Sequence, residues 1–154
     1  METNKITLFV GLAALIVGLI PYAIDIERHF TGPHASISEP ASGSIQPNNM
    51  FSAYGTASNI PSGDDLWLVV RSGVEARWYP STRLVPLNGD WIVGGGINRP
   101  SAGPQVLELI LLPDSREGTF VNYVNALRLH DLNPGMSQLP SGYTVLYSAQ
   151  IVVQ

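Results

Sequence analysis

Cysteine is missing from all 154 residues, which removes disulfides, zinc–thiolate sites and thiol nucleophiles at once. Charge is scarce as well: Asp, Glu, Lys and Arg make up 13% of the chain, against roughly a quarter in ordinary domains. Lysine occurs once, at Lys5. From Asp25 onward there are 7 arginines and 11 acids, so this part carries the whole formal net charge of −4. A basic footprint for nucleic acid is therefore absent. No Gly-x-Ser-x-Gly elbow occurs, which leaves a serine nucleophile without support. The three histidines, His29, His34 and His130, are not at the i, i+4 spacing that would set two metal ligands on one helix face. They read as structural or solvent-facing. The chain gives no sign of a metal or cofactor site and does not read as an enzyme.

What is present begins with an apolar run. Residues Ile6 to Ile24 contain no charge, and 11 of these 19 residues are Leu, Ile, Val or Phe. As a helix the run spans roughly 28 Å, close to a hydrocarbon core of about 30 Å. Each of its large apolar residues favours insertion by about 0.3–0.6 kcal/mol near the helix centre. Lys5 brackets one end and Asp25, Glu27 and Arg28 the other, and Tyr22 stands at an interfacial position. A single transmembrane helix is expected over 6–24, after a short tail (1–5) and before a juxtamembrane linker (25–33). A cleaved signal peptide fits less well, because the run exceeds the usual apolar region and no small-x-small cleavage site follows it. Lys5 and the α-amine against Arg28 place the N-terminus in the cytoplasm and the remainder outside. Gly11, Ala14 and Gly18 put small residues near one face, as helix pairing in lipid requires. That face is a candidate for a partner helix or a homo-oligomer, although Gly and Ala are also simply common in membrane helices.

From His34 onward the pattern is short apolar runs separated by Gly, Pro, Ser and Asn, the composition of strands and turns. Strands are expected at 34–38, 50–58, 66–71, 75–79, 91–93, 106–112 and 143–153. In the second, Phe51, Ala53, Gly55 and Ala57 share one face. The run Leu66-Trp67-Leu68-Val69-Val70 suits a central strand. Asn88-Gly89 marks a hairpin turn. One helix interrupts the pattern: Asp114 and Glu117 form a capping pair, and Phe120, Val121, Val124 and Leu127 recur at helical spacing before Asn133-Pro134-Gly135 ends the segment. In the last strand Val145, Tyr147, Ala149, Ile151 and Val153 alternate with Ser148 and Gln150. About seven strands at this spacing predict a β-sandwich over 34–154 with one short helix before the last strand.

Several of these motifs together resemble a family. A Pro40-x-x-Gly43 opening precedes a strand ending in Gly55-x-Ala57. Pro61-x-Gly63 then leads into Leu66-Trp67-Leu68-Val69-Val70, followed by Tyr79-Pro80, Asn88-Gly89-Asp90-Trp91 and Leu139-Pro140-x-Gly142. The combination is similar to bacterial membrane-attached immunoglobulin-like domains of the kind common in actinobacteria. The resemblance covers about residues 34–154. It implies an architecture and no activity, and the helix before the last strand departs from a minimal immunoglobulin-like sandwich.

Candidate sites are few. Asp64-Asp65 lacks the spaced acids of a calcium loop. Gly94-Gly95-Gly96 lacks the helix start that a phosphate cradle needs. Trp67 and Trp91 read as core. Arg77-Trp78-Tyr79 with Arg83 combines residue types favoured at interfaces and is the candidate ligand or partner surface. The expected function is a membrane-anchored binding or scaffold protein whose extracytoplasmic domain contacts a protein in the same membrane or envelope. The alternatives are a small-ligand (sugar or nucleotide) sensor using the Trp78–Tyr79 face and, least supported, a hydrolase.

Overall fold

The computed structural model describes residues 32–47, 51–94, 97, 102–130 and 133–154. The expected transmembrane segment, with Gly11, Ala14 and Gly18, lies outside the described residues. Among the described residues no helix is long and apolar enough to cross a membrane.

Residues Pro33–Gln154 form one compact unit. It is mainly β: the described residues form eight strands in two sheets and one helix before the last strand. The strands are β1 (His34–Glu39), β2 (Ile45–Gln46), β3 (Ala53–Ser58), β4 (Asp64–Ser72), β5 (Trp78–Leu84), β6 (Asp90–Val93), β7 (Gly103–Pro113) and β8 (Thr144–Val153). The helix α1 covers Asp114–His130. The smaller sheet runs β1-β3-β6 and the larger β2-β8-β7-β4-β5. All pairings are antiparallel except β2 with β8.

The centre of the larger sheet is the β4–β7 pair, in register from Asp64 opposite Pro113 to Ser72 opposite Gln105. Six consecutive residues of β4, Asp65 to Val70, are buried, as are Leu107 to Leu112 of β7. Alternate side chains of a strand point to opposite faces, so continuous burial requires a cover on both. Leu66, Leu68, Val70, Leu107 and Leu109 share a core with Ala35, Ile37, Ala53, Ala57 and Trp91 of the smaller sheet. Trp67, Val69, Ile110 and Leu112 instead pack with Phe120 of α1, and Val121 and Val124 lie partly buried beside them. The layers are therefore small sheet, large sheet, helix. The helical spacing read from the sequence is the spacing used: Phe120 is buried, Val121, Val124 and Leu127 are half-buried, and Arg116, Asn122, Asn125 and Arg128 are exposed.

The structure differs from the sequence expectations in definite places. There are eight strands because the two-residue β2 adds a parallel edge beside Val152 and Val153; a pair of residues carries no periodicity to read. The helix is not short but 17 residues long. The fourth expected strand, at 75–79 and ended by Pro80, is instead β5, which begins at Trp78 and continues through Pro80 to Leu84. Pro80 is accommodated because β5 is an edge strand and the register shifts between Leu68 and Val69 opposite it. Val145 leaves the core face it was expected to share. A second irregularity pairs Leu109 with Tyr147 and Ile110 with Val145. One residue of slip reverses the facing of every side chain beyond it. Val145 is accordingly exposed, while Ala149, Ile151 and Val153 stay buried.

Gly55 is required by close packing. A Cβ on Gly55 would lie 1.9 Å from the Ser36 carbonyl oxygen and 2.7 Å from Trp91 Cζ2. The Trp91 indole occupies that space, and its N–H donates to the Thr56 carbonyl at 3.1 Å. Gly55→Ala is expected to displace Trp91 and destabilise the fold by about 2–3 kcal/mol or more. Gly118, exposed in α1 with nothing within 4 Å of where a methyl group would stand, is the matched control. Gly118→Ala should stabilise by about 0.5–1 kcal/mol. Urea unfolding of the two variants beside the parent measures both.

Candidate functional site

The four residues of the expected surface do not converge on one exposed face. Arg77 precedes β5 and is exposed; its guanidinium donates to the carbonyls of Pro134 at 3.0 Å and Gly135 at 3.3 Å. Trp78 is half-buried and packs on the cluster beneath α1. Its backbone bridges to Met136 by two hydrogen bonds of 3.0 and 2.7 Å, which closes that stretch of the β5 edge. Tyr79, the next residue, points to the opposite face and is 1% exposed. Its hydroxyl donates to Glu75 Oε2, and its ring fills the space where a Cβ on Gly135 would stand, 2.6 Å from Cζ. Burial and the Glu75 carboxylate together push the phenol well above its usual range. Arg83 is half-exposed and pairs with Asp65 and Glu117. All four side chains are thus engaged inside the domain. Three of them tie the returning segment 133–139 or the helix to the larger sheet.

The remaining sequence candidates are placed as follows. His34 is exposed at the start of β1. His29 and the His130 side chain lie outside what is described. Asp65 is buried, and its carboxylate is engaged by the Arg83 guanidinium at 2.6 Å. Among the described residues no group of three or more His, Cys, Asp or Glu is arranged to hold a metal ion. Glu117 does not return to cap its own helix as the pairing with Asp114 suggested. It reaches Arg83, and the Asp114 amide donates to the Gly63 carbonyl at 3.0 Å.

A different surface stands out. A groove of about 690 Å³ lies against the smaller sheet, lined by Tyr54, Thr56, Val85, Leu87, Asp90 and Ile92 among others. Four of these are large apolar side chains left open to solvent: Tyr54 at 45%, Val85 at 77%, Leu87 at 76% and Ile92 at 77%. Their placement follows from local structure. In β3, burial of Ala53, Gly55 and Ala57 turns Tyr54 and Thr56 outward. In β6, burial of Trp91 does the same for Asp90 and Ile92. Positive φ at Asn88 (55°) and Gly89 (91°) forms the tight turn, and Leu87 and Asp90 bond across it. Leu84 belongs to the larger sheet and Leu87 bridges to the smaller one. Val85 and Pro86 therefore cross between the sheets. No sequence signal marks this groove, because Val85 and Leu87 stand outside any strand alternation and Tyr54 and Ile92 occupy the face a half-buried strand normally leaves polar.

The groove offers apolar contact, the Thr56 hydroxyl and a single lining carboxylate, Asp90. No family model and no curated protein matches the chain.

Tyr79→Phe removes a part-buried hydrogen bond to a carboxylate. It should cost about 1.5–3 kcal/mol in chemical unfolding and leave binding at the groove unchanged.

Proposed function

We propose that the chain is a single-pass membrane-anchored binding or scaffold protein, with an extracytoplasmic immunoglobulin-like domain that holds a protein partner in the same membrane. The anchor rests on the 19 uncharged residues Ile6 to Ile24. The immunoglobulin-like reading rests on the strand order. In that fold one sheet carries A, B and E, and the other carries G, F and C with an added C′. Here β1, β3 and β6 stand as A, B and E; β8, β7, β4 and β5 stand as G, F, C and C′. The parallel β2 beside β8 corresponds to a first strand that switches sheets, and α1 is an insertion between F and G.

The observation that carries the binding role is the cluster of Tyr54, Val85, Leu87 and Ile92 around one groove. Scattered exposed apolar residues are ordinary, but a contiguous group marks a contact surface. The groove belongs to the sheet that contains β1, and nine residues, 25–33, separate β1 from the expected span. Fully extended, they reach about 30 Å. Anchored by the expected span, the domain is confined to one membrane, which favours a partner that shares it. Asp90 adds a preference for a partner that presents a cation or hydrogen-bond donor beside its apolar contact.

Co-purification of the full-length chain from its native membrane tests this. The parent should retain a defined partner, and Ile92→Glu or Leu87→Glu should reduce its yield roughly tenfold or more, since a buried unpaired carboxylate costs well over 1.4 kcal/mol. Val74→Glu, at an exposed residue away from the groove, should retain it. Equal yield from the parent and Ile92→Glu overturns the reading.

A further inference from the structure

Strand β6 is the outer strand of the smaller sheet, with β3 on one side only. Its other side begins as a hairpin. Leu87 and Asp90 exchange two backbone hydrogen bonds, of 2.8 and 3.1 Å, across the Asn88-Gly89 turn. A regular hairpin of this kind would next pair Val85 with Ile92. That pair does not form. The reason lies one residue back. Leu84 is buried and paired with Leu66 in the larger sheet, so Val85 and Pro86 turn away from β6 to reach it. The hairpin stops after its first pair.

This leaves an open place on the edge. Backbone groups of an antiparallel strand point alternately to its two sides. Asp90 bonds outward to Leu87, and Trp91 stands opposite Gly55 of β3, so Ile92 faces outward again. Among the described residues no strand lies beside its N–H and C=O. Gly94, exposed and with nothing within 4 Å of where a Cβ would stand, leaves the path along the edge clear. Sheet edges are usually blunted against such pairing, and the other edges here are. β1 breaks register between Ile37 and Glu39. β5 carries Pro80 and is bridged at Trp78 by Met136. β8 is flanked by β2, bonded at Gln150 by Gly43, and irregular opposite Leu109 and Ile110. Among the described residues the β6 edge has none of these devices. It instead ends an apolar row: Tyr54 stands opposite Ile92 on the outer face, and Val85 is left exposed beyond.

We propose that the occupant of the groove is an extended segment of the partner protein, added to the smaller sheet as a further strand along β6 in the place that Val85 and Pro86 leave empty. This rests on the binding role proposed for the groove and names the form its occupant takes. Ile92 supplies one donor and one acceptor to the guest backbone. The guest residue opposite Ile92 extends the Tyr54–Ile92 row, which favours a β-branched or aromatic side chain there. Leu87, already bonded to Asp90, closes one end, so the added strand runs between Leu87 and Gly94. Asp90 favours a cation or hydrogen-bond donor where the guest ends against Leu87.

Two readouts on the full-length chain, co-purified from its native membrane, test this. In the captured complex, hydrogen exchange resolved to single amides should show the Ile92 amide slowed by about fivefold or more relative to the chain alone, as a new backbone hydrogen bond requires. The second readout is Ile92→Pro beside Ile92→Ala. Proline removes the outward N–H and none of the bonds to β3, a place where an edge strand tolerates it. With thermal unfolding confirming that both variants fold, Ile92→Pro should retain roughly tenfold less partner than Ile92→Ala. If Ile92→Pro does not fold, the exchange measurement decides alone. Equal retention by the folded Pro and Ala variants, or an Ile92 amide unchanged by the partner, overturns strand addition; if Ile92→Glu still loses the partner, the groove keeps its binding role. A parent that captures nothing, or an Ile92→Glu variant that retains as much as the parent, removes that role and strand addition with it.

Discussion

The β4–β7 pair is apolar on both faces, and a strand pair of that kind cannot stop at one cover. Burying only the Leu66–Leu68–Val70 side would leave Trp67, Val69, Ile110 and Leu112 in water, at roughly 1.5–3 kcal/mol for each large side chain. The smaller sheet satisfies one face and α1 the other. Much of the remaining structure serves this arrangement. Gly55 makes room for Trp91 in the first interface. Phe120 plugs the second. The segment after α1 is fastened by Arg77 and by the Trp78–Met136 bridge before the chain re-enters the larger sheet as β8.

The two covers differ in kind. The small sheet contributes several wholly buried side chains, among them Ala35, Ala53, Ala57 and Trp91. The helix contributes chiefly Phe120 and draws on polar fastenings for the rest: Arg83 to Glu117, and the Tyr123 hydroxyl to Asn133 Oδ1. The side opposite the helix carries the apolar groove on which the proposed partner contact rests.

Much of the fold was legible because burial alternates where the sequence does. The outward Tyr54 and Thr56, the continuous burial of β4, the Asn88-Gly89 turn and the Phe120–Val124 face of α1 follow from period and turn chemistry alone. The failures share a cause: each depends on a residue's cross-strand partner. Pro80 reads as a strand end until its place on a shifted edge is known, and Val145 reads as core until the slip opposite Ile110 turns it outward. Arg77, Trp78, Tyr79 and Arg83 have the composition of a contact surface, yet their partners, Pro134, Met136, Glu75 and Glu117, come from turns and a helix that local pattern does not bring to β5. The groove escaped notice for the converse reason. Tyr54, Val85, Leu87 and Ile92 are distant in sequence and become neighbours only when Val85 and Pro86 cross between the sheets.

The absence of cysteine from the chain allows the two-cover architecture to be tested with single introduced thiols. Val69 and Val70 are adjacent, both are essentially inaccessible, and they face opposite layers. Thiol labelling under native conditions should be slow for both Val69→Cys and Val70→Cys and fast for Val85→Cys, which is exposed. If Val69→Cys labels as fast as Val85→Cys while Val70→Cys stays protected, α1 does not cover the sheet, and the account of how this fold is held together is contradicted.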